Sequence, residues 1–202
     1  MQTLKFKDRE EWLAARRGKI TGTRLKDIIV KRGNGKKIGF YELIAERIAT
    51  EPDNGETPLD RGVRLEPEAL ARFTKETKKK VSNDLTIWTR DDNESIAISP
   101  DGILSATEAV EVKCLSSARH IEAFLTQSIP DDYYYQTLQY MIVNEKLKTL
   151  NVVFYDPRIP VKDYFVIKVL RKDVKEPIKE YLEYQKQIIK EVDEIVNQLT
   201  NF

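Results

Sequence analysis

Two acidic residues and a lysine have a spacing that could support metal-assisted chemistry. Asp101 belongs to a Ser-Pro-Asp-Gly segment, and Glu111 and Lys113 flank a valine in a later β-prone run. Residues two apart on a strand project from the same face, about 6 to 7 Å from each other, so Glu111 and Lys113 share a face while Val112 points to the opposite layer. If Asp101 lies beside that strand, the carboxylates can hold a hydrated Mg²⁺ ion that polarises a phosphoryl group. Lys113 can then orient or deprotonate the attacking water.

The same segments also have a purely structural interpretation. Ser-Pro-Asp-Gly is a favourable β-turn sequence, and Glu-Val-Lys is ordinary strand alternation. His120 has no second histidine or pairing motif nearby, so it is predicted to be neither a base nor a metal ligand. Cys114 follows Lys113 and points to the opposite face, where a buried thiol is expected. Spacing alone therefore leaves both interpretations open.

Helices and short strands are predicted to position these residues within one domain that spans residues 1–202. Asp8 and Glu11 form a capping box for the first helix, and Thr21 is expected to cap a short second helix. Beyond Lys80, three β-prone runs are predicted to be neighbouring strands. The predicted helices cover residues 8–17, a segment after Thr21, 40–48, about 59–73, 116–125, 131–143 and a long amphipathic C-terminal stretch, and the predicted strands cover 85–88, 95–98, 109–112, 150–155 and 164–170. The result is an α/β (α+β) fold, with a central mixed β-sheet flanked by helices.

Composition and charge exclude several classes of protein. The 34 Lys and Arg residues balance 33 Asp and Glu residues, so bulk positive charge cannot hold nucleic acid and any such site needs segregated charge. A single cysteine excludes an intramolecular disulfide, and with one histidine it excludes a four-ligand Cys/His zinc site. No apolar run approaches the roughly 20 residues of a membrane span, and no apolar stretch follows the charges at the start of the chain. We therefore expect a cytoplasmic protein without membrane insertion or secretion.

The arrangement of Pro-Asp followed by Glu-x-Lys resembles the PD-(D/E)xK nuclease signature, and the chain more specifically resembles the phage lambda exonuclease family of viral recombinases. Four further segments carry this resemblance, in the same order and over nearly the whole chain. They are the Trp-Leu-Ala-Ala-Arg-Arg-Gly-Lys-Ile-Thr-Gly-Thr stretch at 12–23, the Gly-x-x-x-Glu pattern at 62–66, the Tyr- and Gln-rich stretch at 133–141, and Tyr-Asp-Pro-Arg at 155–158. The resemblance implies a PD-(D/E)xK nuclease-like core.

The resemblance also implies roles for the acidic residues. Asp101 and Glu111 correspond to Mg²⁺ ligands, with the backbone carbonyl of Val112 as a third ligand and Mn²⁺ able to substitute for Mg²⁺. Lys113 corresponds to the catalytic lysine. Glu66 resembles an additional catalytic acidic residue that acts through a water or on a second ion, whereas its sequence alone favours a solvated helix carboxylate.

A pocket for a 5′-terminal phosphate is the second implication. Arg16 resembles the arginine that anchors this phosphate, and Arg17 could share or contest that role. Thr23, where many members carry Ser, resembles a further donor to the phosphate, as do Ser99 and Gln136. Their structural alternatives are a helix cap for Thr23, a turn residue for Ser99 and an exposed helix side chain for Gln136.

Two further features correspond to positions that contact DNA in the family. The basic loop at 31–37, which contains Arg32 and Lys36, is a candidate contact for the DNA backbone, and its alternative is a solvated surface loop. Leu59 lies where the family has an apolar wedge that helps to separate the terminal base pairs, and its alternative is helix packing. The Tyr-rich stretch at 133–135 is expected to serve the core or a subunit contact.

The resemblance implies hydrolysis of one strand of linear double-stranded DNA from 5′ to 3′. The products are 5′-mononucleotides and a 3′ overhang for phage homologous recombination by strand annealing. It further implies a ring-shaped homotrimer, a single-strand annealing protein as partner, and a phage or prophage gene that acts in the bacterial cytoplasm. Two alternatives stay open: an endonuclease or other end-processing nuclease with the same chemistry, and a catalytically silent protein that binds DNA ends.

Overall fold

The computed structural model describes residues 1–30, 40, 43, 60–115, 120, 123, 124, 126–157 and 162–200. Two β-sheets and their flanking helices account for the described elements. The strands are β1 Gln2–Lys5, β2 Thr86–Thr89, β3 Ala97–Ile98, β4 Gly102–Ser105, β5 Glu108–Lys113, β6 Thr149–Tyr155 and β7 Tyr164–Leu170, and the α-helices are α1 Arg9–Arg16, α2 Gly22–Ile28, α3 Asp60–Thr77, α4 Asp131–Val143 and α5 Lys175–Thr200.

The larger sheet has the strand order β4-β5-β6-β7 and is mixed. The β4–β5 and β6–β7 pairs are antiparallel, whereas β5 and β6 are parallel. A parallel pair needs a long crossover, and the segment that contains α4 provides it. The smaller sheet has the order β1-β2-β3 and is antiparallel. The predicted mixed sheet flanked by helices is thus confirmed.

Alternation along β5 assigns its side chains to two layers. Val110 and Val112 pack with residues of α3, including Leu70 and Phe73, in a small cluster on one face of the sheet. Glu111 points to the other face, where the main core contains residues of α2, α4 and α5. The predicted separation of Val112 from Glu111 follows from this two-residue period.

Several predicted elements agree with the structure. Helix α4 and strand β7 have the predicted bounds, α5 is the predicted long C-terminal helix, and α3 begins within one residue of its predicted start. Asp8 caps α1 by accepting a hydrogen bond of 2.9 Å from the Glu11 N–H. Thr21 has the N-cap position of α2, but its side chain makes no capping hydrogen bond.

The prediction of three neighbouring strands beyond Lys80 was wrong in part. The first two runs form β2 and β3, which pair with each other, but the third forms β5 in the other sheet. Two strands were not predicted. The sequence of β1 has no apolar alternation, which agrees with the exposure of all four of its residues. Strand β4 begins at Gly102, the last residue of the Ser-Pro-Asp-Gly segment, so the turn signal overlaps the start of the strand.

Some predicted features lie outside the described residues. These are most of the helices at 40–48 and 116–125, the basic loop with Arg32 and Lys36, Leu59, and Arg158. No helix in the described part of the chain has the length and apolar character that crossing a membrane requires.

Candidate active site

Helix α1 positions an arginine against an aromatic ring. Trp12 and Arg16 are four residues apart and therefore lie on one side of the helix. The Trp12 Nε1–H donates to the Thr86 carbonyl of β2 at 3.3 Å, which fixes the indole against the smaller sheet. The Arg16 guanidinium lies 4.4 Å from the centroid of that ring, within the range of a cation–π contact. Gly18, with φ of 65°, turns the chain after α1 toward α2.

The close approach of α2 to α4 depends on a glycine. A Cβ atom at Gly22 would lie 2.6 Å from Ile98 Cδ1 and 2.7 Å from Gln136 Cγ. No side chain fits at that distance, so glycine at this position allows the start of α2 to rest against Gln136. This contact brings α2, which carries Thr23, to the helix that carries Gln136.

Glu111 is held by donors from two elements. It is only 1% exposed. Its Oε1 accepts hydrogen bonds from Lys113 Nζ and, at 2.5 Å, from Gln136 Nε2, while its Oε2 accepts one from the Tyr140 hydroxyl at 2.5 Å. Gln136 and Tyr140 lie one turn apart on α4, so a single helix face supplies both donors. The carboxylate of Glu111 is therefore fixed in direction.

Asp101 lies beside the same strand, as the spacing predicted. Its Oδ2 accepts a hydrogen bond of 2.7 Å from the backbone N–H of Val112. Burial raises the pKa of Asp101 well above its ordinary value, and the negative charges of Glu111 and Glu66 raise it further, against the opposing charge of Lys113. The two carboxylates thus repel each other in a site shielded from solvent.

Burial and the negative charge of the two carboxylates also shift the pKa values of Glu66, Lys113 and Tyr140. Burial, followed by the charge of Glu111, raises the pKa of Glu66. Burial acts to lower the pKa of Lys113, but Glu111 and Asp101 outweigh it and the pKa is raised, so the ammonium form is stabilised. Burial is also the main reason that the pKa of Tyr140 lies well above its ordinary value, which keeps the phenol a neutral donor to Glu111.

One cavity of about 230 Å³ is lined by Glu66, Asp101, Glu111 and Lys113. Apart from Arg17, every candidate site residue from the sequence that lies in the described part of the chain lines it, namely Arg16, Thr23, Glu66, Ser99, Asp101, Glu111, Val112, Lys113 and Gln136. Arg17 lines a neighbouring cavity and not this one. Arg32, Lys36 and Leu59 are outside the described residues.

Two polar groups in this cavity have unused hydrogen-bonding capacity. The hydroxyl of Ser99 is buried and has no hydrogen-bond partner among the residues that the structure describes. Gln136 donates one hydrogen of its amide nitrogen to Glu111, and that nitrogen carries a second hydrogen. Burial lowers the pKa of Arg16, although Asp101 and Glu111 oppose the effect. A guanidinium, a hydroxyl and an amide thus lie beside the carboxylates.

The donor set fits a hard divalent cation. No group of three His, Cys, Asp or Glu side chains with the spacing of a metal centre occurs in the described parts of the chain. Mg²⁺, however, commonly takes only one or two carboxylates and keeps water or substrate oxygens as its other ligands. Asp101 and Glu111 are two such carboxylates, and their mutual repulsion is the kind that a cation relieves.

Three residues of the site were not predicted individually. Tyr140 donates to Glu111, Trp12 supports Arg16, and Arg9 lines the cavity near Trp12. An aromatic residue on a helix has the sequence signature of a core residue, but the spacing of four between Gln136 and Tyr140 could have indicated that both face the same carboxylate.

His120 has structural surroundings, whereas Cys114 borders the candidate active site. His120 is buried, its Nε2 lies 2.8 Å from the Lys162 carbonyl oxygen, and its ring packs against Phe165. Cys114 is half-buried and lines the cavity, so the expectation of a buried thiol was wrong; it follows the last residue of β5 and packs only in part against the cluster of Val110 and Val112.

Comparisons with known proteins agree with the geometry. Residues 11–147 match the model of the YqaJ-like viral recombinase domain. An alkaline exonuclease from Laribacter hongkongensis, LHK-Exo, is similar in two crystal structures. The complex with dAMP has 27% identity and a TM-score of 0.81, over 96% of this chain and 97% of the other. The second has 26% identity and a TM-score of 0.74, over 95% and 100%.

A phage-related exonuclease from Haemophilus somnus 129PT shares the fold, with 14% identity and a TM-score of 0.60 over 90% of this chain and 96% of the other. No curated protein matches the chain at a significant level. The fold and the matches define a nuclease of the alkaline exonuclease type. The chain belongs to the family of YqaJ-like viral recombinase domains, which confirms the resemblance to the lambda exonuclease family.

Proposed function

We propose that the protein is a Mg²⁺-dependent 5′→3′ exonuclease that digests one strand of linear double-stranded DNA to 5′-mononucleotides. The observation that carries this proposal is a shared cavity. The candidate phosphate anchors, Arg16 and Ser99, line the same cavity as Asp101, Glu111 and Lys113. A phosphate held by the anchors therefore lies close to the carboxylates. The related LHK-Exo has been crystallised with dAMP, which is a nucleoside monophosphate of the kind we propose as product.

The acidic residues and the lysine would divide the hydrolysis between them. Asp101, Glu111 and the Val112 carbonyl would hold Mg²⁺, which when bound supplies polarisation of the phosphoryl group; Mn²⁺ can substitute for it. Lys113, held by Glu111, orients the attacking water and balances negative charge as it develops. Tyr140 and Gln136 keep Glu111 in a fixed orientation, and Glu66 adds a further carboxylate to the lining of the cavity.

The anchor residues account for polarity. Arg16 provides a planar fork of donors for the 5′-terminal phosphate, and Thr23, Ser99 and Gln136 add neutral donors. If this phosphate is held one nucleotide from the carboxylates, each cut releases one nucleotide. The shortened strand again ends in a 5′ phosphate, which enters the same pocket. Repetition gives 5′→3′ digestion and leaves a 3′ overhang.

Nucleotide release from a linear duplex with a 5′ phosphate on one strand tests the proposal. We expect mononucleotides from the phosphorylated strand in Mg²⁺ or Mn²⁺, none in EDTA, and no cutting of a covalently closed circle. Cutting of the circle would instead indicate an endonuclease of the same chemistry. If Lys113→Ala abolishes release but retains binding to DNA ends, catalysis rather than end binding is the function. A silent end-binding protein would release no nucleotides in any condition.

The biological setting belongs to the same proposal. A 3′ overhang is the substrate of strand annealing, so we propose a single-strand annealing protein as partner in phage homologous recombination. The site of action would be the cytoplasm of a bacterial host that carries the phage or prophage. A homotrimeric ring around the DNA would keep a protein with a formal net charge of +1 on its substrate.

A further inference from the structure

A second cavity, of about 290 Å³, adjoins the candidate active site on the side of α1 and α2. Leu13, Arg16 and Thr23 line both cavities, so these three side chains form a shared wall. The acidic residues Asp101 and Glu111 line only the first cavity. The second cavity therefore lies beyond the candidate phosphate anchor, away from the carboxylates.

The second cavity is strongly basic. Its lining includes Arg16, Arg17, Lys19 and Arg24, against the single carboxylate of Asp27. The Nε of Arg17 is buried and has no hydrogen-bond partner among the described residues. A buried guanidinium nitrogen without an acceptor is costly, so this Nε identifies Arg17, which lines the cavity, as a guanidinium with an unused donor.

Hydroxyl groups complete a set of donors for an anion. Thr21 is buried, and its Oγ1 lies 3.4 Å from that of Thr23 on the shared wall. The Lys19 ammonium is held near the cavity by donating to the Glu94 carbonyl at 3.1 Å, which leaves further hydrogens of the same group. Guanidinium, ammonium and hydroxyl donors in one cavity are the chemistry that recognises phosphate.

Position then identifies which phosphate could occupy the cavity. The strand to be cut runs from the anchored 5′ phosphate toward the carboxylates, so a group on the other side of the anchor lies upstream of it. We propose that the cavity of Arg17, Lys19 and Arg24 is a subsite for the phosphate directly upstream of the anchored one. This inference rests on the proposed function, because it takes Arg16 as the anchor of the 5′ phosphate.

Such an upstream phosphate has two chemical sources. One is a 5′-diphosphate end, and the other is the internucleotide phosphate of a 5′ tail. A blunt 5′-monophosphate end would leave the subsite without a substrate group. The subsite would therefore determine how the enzyme treats ends that differ from a plain 5′ monophosphate.

Calorimetric titration in EDTA with dAMP and dADP tests the subsite without turnover. We expect dADP to bind the wild-type protein about tenfold more tightly than dAMP, as one added charge-assisted contact would give. The double variant Lys19→Gln and Arg24→Gln should bind dADP no more tightly than dAMP. Lys75→Gln, an exposed change on α3 that lines neither cavity, should keep the wild-type ratio.

The ratio of the two affinities separates binding from folding. A variant that is merely less well folded binds both nucleotides less tightly and keeps their ratio. Equal affinities for dADP and dAMP in the wild type, or a dADP preference that survives in the double variant, would overturn the inference. If the double variant loses the dADP preference, the subsite is supported. If Arg16→Gln in addition leaves dAMP binding unchanged, Arg16 is not the anchor, and the proposed function is contradicted at that residue.

Two linear duplexes then identify the source of the phosphate. One ends in a 5′ diphosphate and the other carries a one-nucleotide 5′ tail, and each competes in EDTA with a blunt 5′-monophosphate duplex. Tighter binding of either one, lost in the double variant, supports the subsite and identifies its occupant. If neither binds more tightly than the blunt duplex, the cavity does not bind an upstream phosphate of DNA and the inference is wrong.

Discussion

At the scale of single residues, the site concentrates like charges and holds them with neutral donors. Glu111 is fixed by Tyr140 and Gln136 in addition to Lys113, so its orientation does not depend on a cation. Among the described residues, the oriented donor to the Asp101 carboxylate is the Val112 N–H, and the negative charge of Glu111 acts on the same carboxylate. The pair is therefore suited to a divalent ion and is less favourable for the fold without one.

The substitution Asp101→Asn distinguishes the role of Asp101 in metal binding from its unfavourable effect on the stability of the metal-free fold. The amide oxygen can still accept from Val112, but one buried negative charge is removed. We expect nucleotide release to be abolished, whereas the melting temperature in EDTA should rise by about 2–4 °C for each kcal/mol of repulsion relieved. Glu183→Gln, an exposed change on α5, should alter neither quantity. Release at the wild-type rate would exclude Asp101 as a metal ligand, and a lower melting temperature would contradict the repulsion.

Arg16→Ala tests the anchor. Loss of a bidentate charge-assisted contact should slow release from 5′-phosphorylated ends by about 10- to 100-fold. The rate on 5′-hydroxyl ends should change much less, so the preference for phosphate should disappear. Rates on the two ends are measured side by side, with Arg64→Ala, an exposed change on α3, as the control that keeps the preference. Equal losses on both ends would remove the assigned role.

Residue types and spacing predicted part of this site. Strand periodicity was sufficient to predict that Glu111 and Lys113 share a face. The presence of Arg16, Thr23 and Ser99 in the same cavity was not predictable from local pattern, because three separate segments supply them. It followed from the family resemblance. A site role for Tyr140 was not predicted, because an aromatic residue on a buried helix is normally a core residue.

At the scale of elements, the contact between α2 and α4 positions the anchor side of the cavity. Gly22→Ala would place a methyl group 2.7 Å from Gln136 Cγ. We expect the free energy of unfolding to fall by about 1–3 kcal/mol, as in other overpacked contacts, and turnover to fall as Gln136 moves. Urea denaturation and nucleotide release measure the two effects.

Gly62→Ala is the matched control for stability. A Cβ at Gly62 would have no neighbour within 4 Å, and the residue lies within α3. We expect this change to raise the free energy of unfolding by up to about 1 kcal/mol, because alanine is the better helix former. If Gly22→Ala were as well tolerated as Gly62→Ala, α2 would not depend on this close approach.

Elements with strong periodicity were the predictable ones. Helix α4 and strand β7 had the predicted bounds, because each carries a continuous apolar pattern with clear ends. The order of strands was not predictable in the same way. Strands β3 and β5 are close in sequence but lie in different sheets, because β5 pairs with β4 and β6, and β6 is distant in sequence.

At the scale of the whole molecule, Arg90 connects parts of the chain that are distant in sequence. Its guanidinium follows β2 and donates to the Ile142 carbonyl of α4 at 2.5 Å, to Glu145 at 2.7 Å and to Asp92 at 2.6 Å. Asp92 also pairs with Lys186 of α5 at 3.1 Å. The smaller sheet, α4 and α5 are thereby tied together around one arginine.

This cluster predicts a pH dependence of stability. The hydrogen bond from Arg90 lowers the pKa of Asp92 to about 2, and Lys186 contributes. Because the pKa in the folded state lies below the ordinary value of about 3.9, the contribution is complete above about pH 4 and is lost as the pH falls toward 2. The Asp92 side chain is exposed, at 45% of its full area, and solvent screens its charge, so the effect should not exceed about 1 kcal/mol. Asp92→Asn should destabilise the protein in urea at pH 7 but not near pH 2; an equal loss at both pH values would contradict the pairing.

Because the net charge is near zero, we expect the protein to stay on its DNA through the way its subunits assemble. A monomer with a formal charge of +1 would depend on local phosphate contacts, and salt weakens these steeply. A closed ring retains its DNA by topology instead. We expect a native mass of three 23.5 kDa chains. Enzyme loaded on long duplex DNA at about 50 mM salt should continue digestion after a shift to about 200 mM with excess competitor DNA, whereas new initiation should fall sharply. A monomeric mass, or digestion that stops on the shift, would mean that local contacts alone hold the substrate.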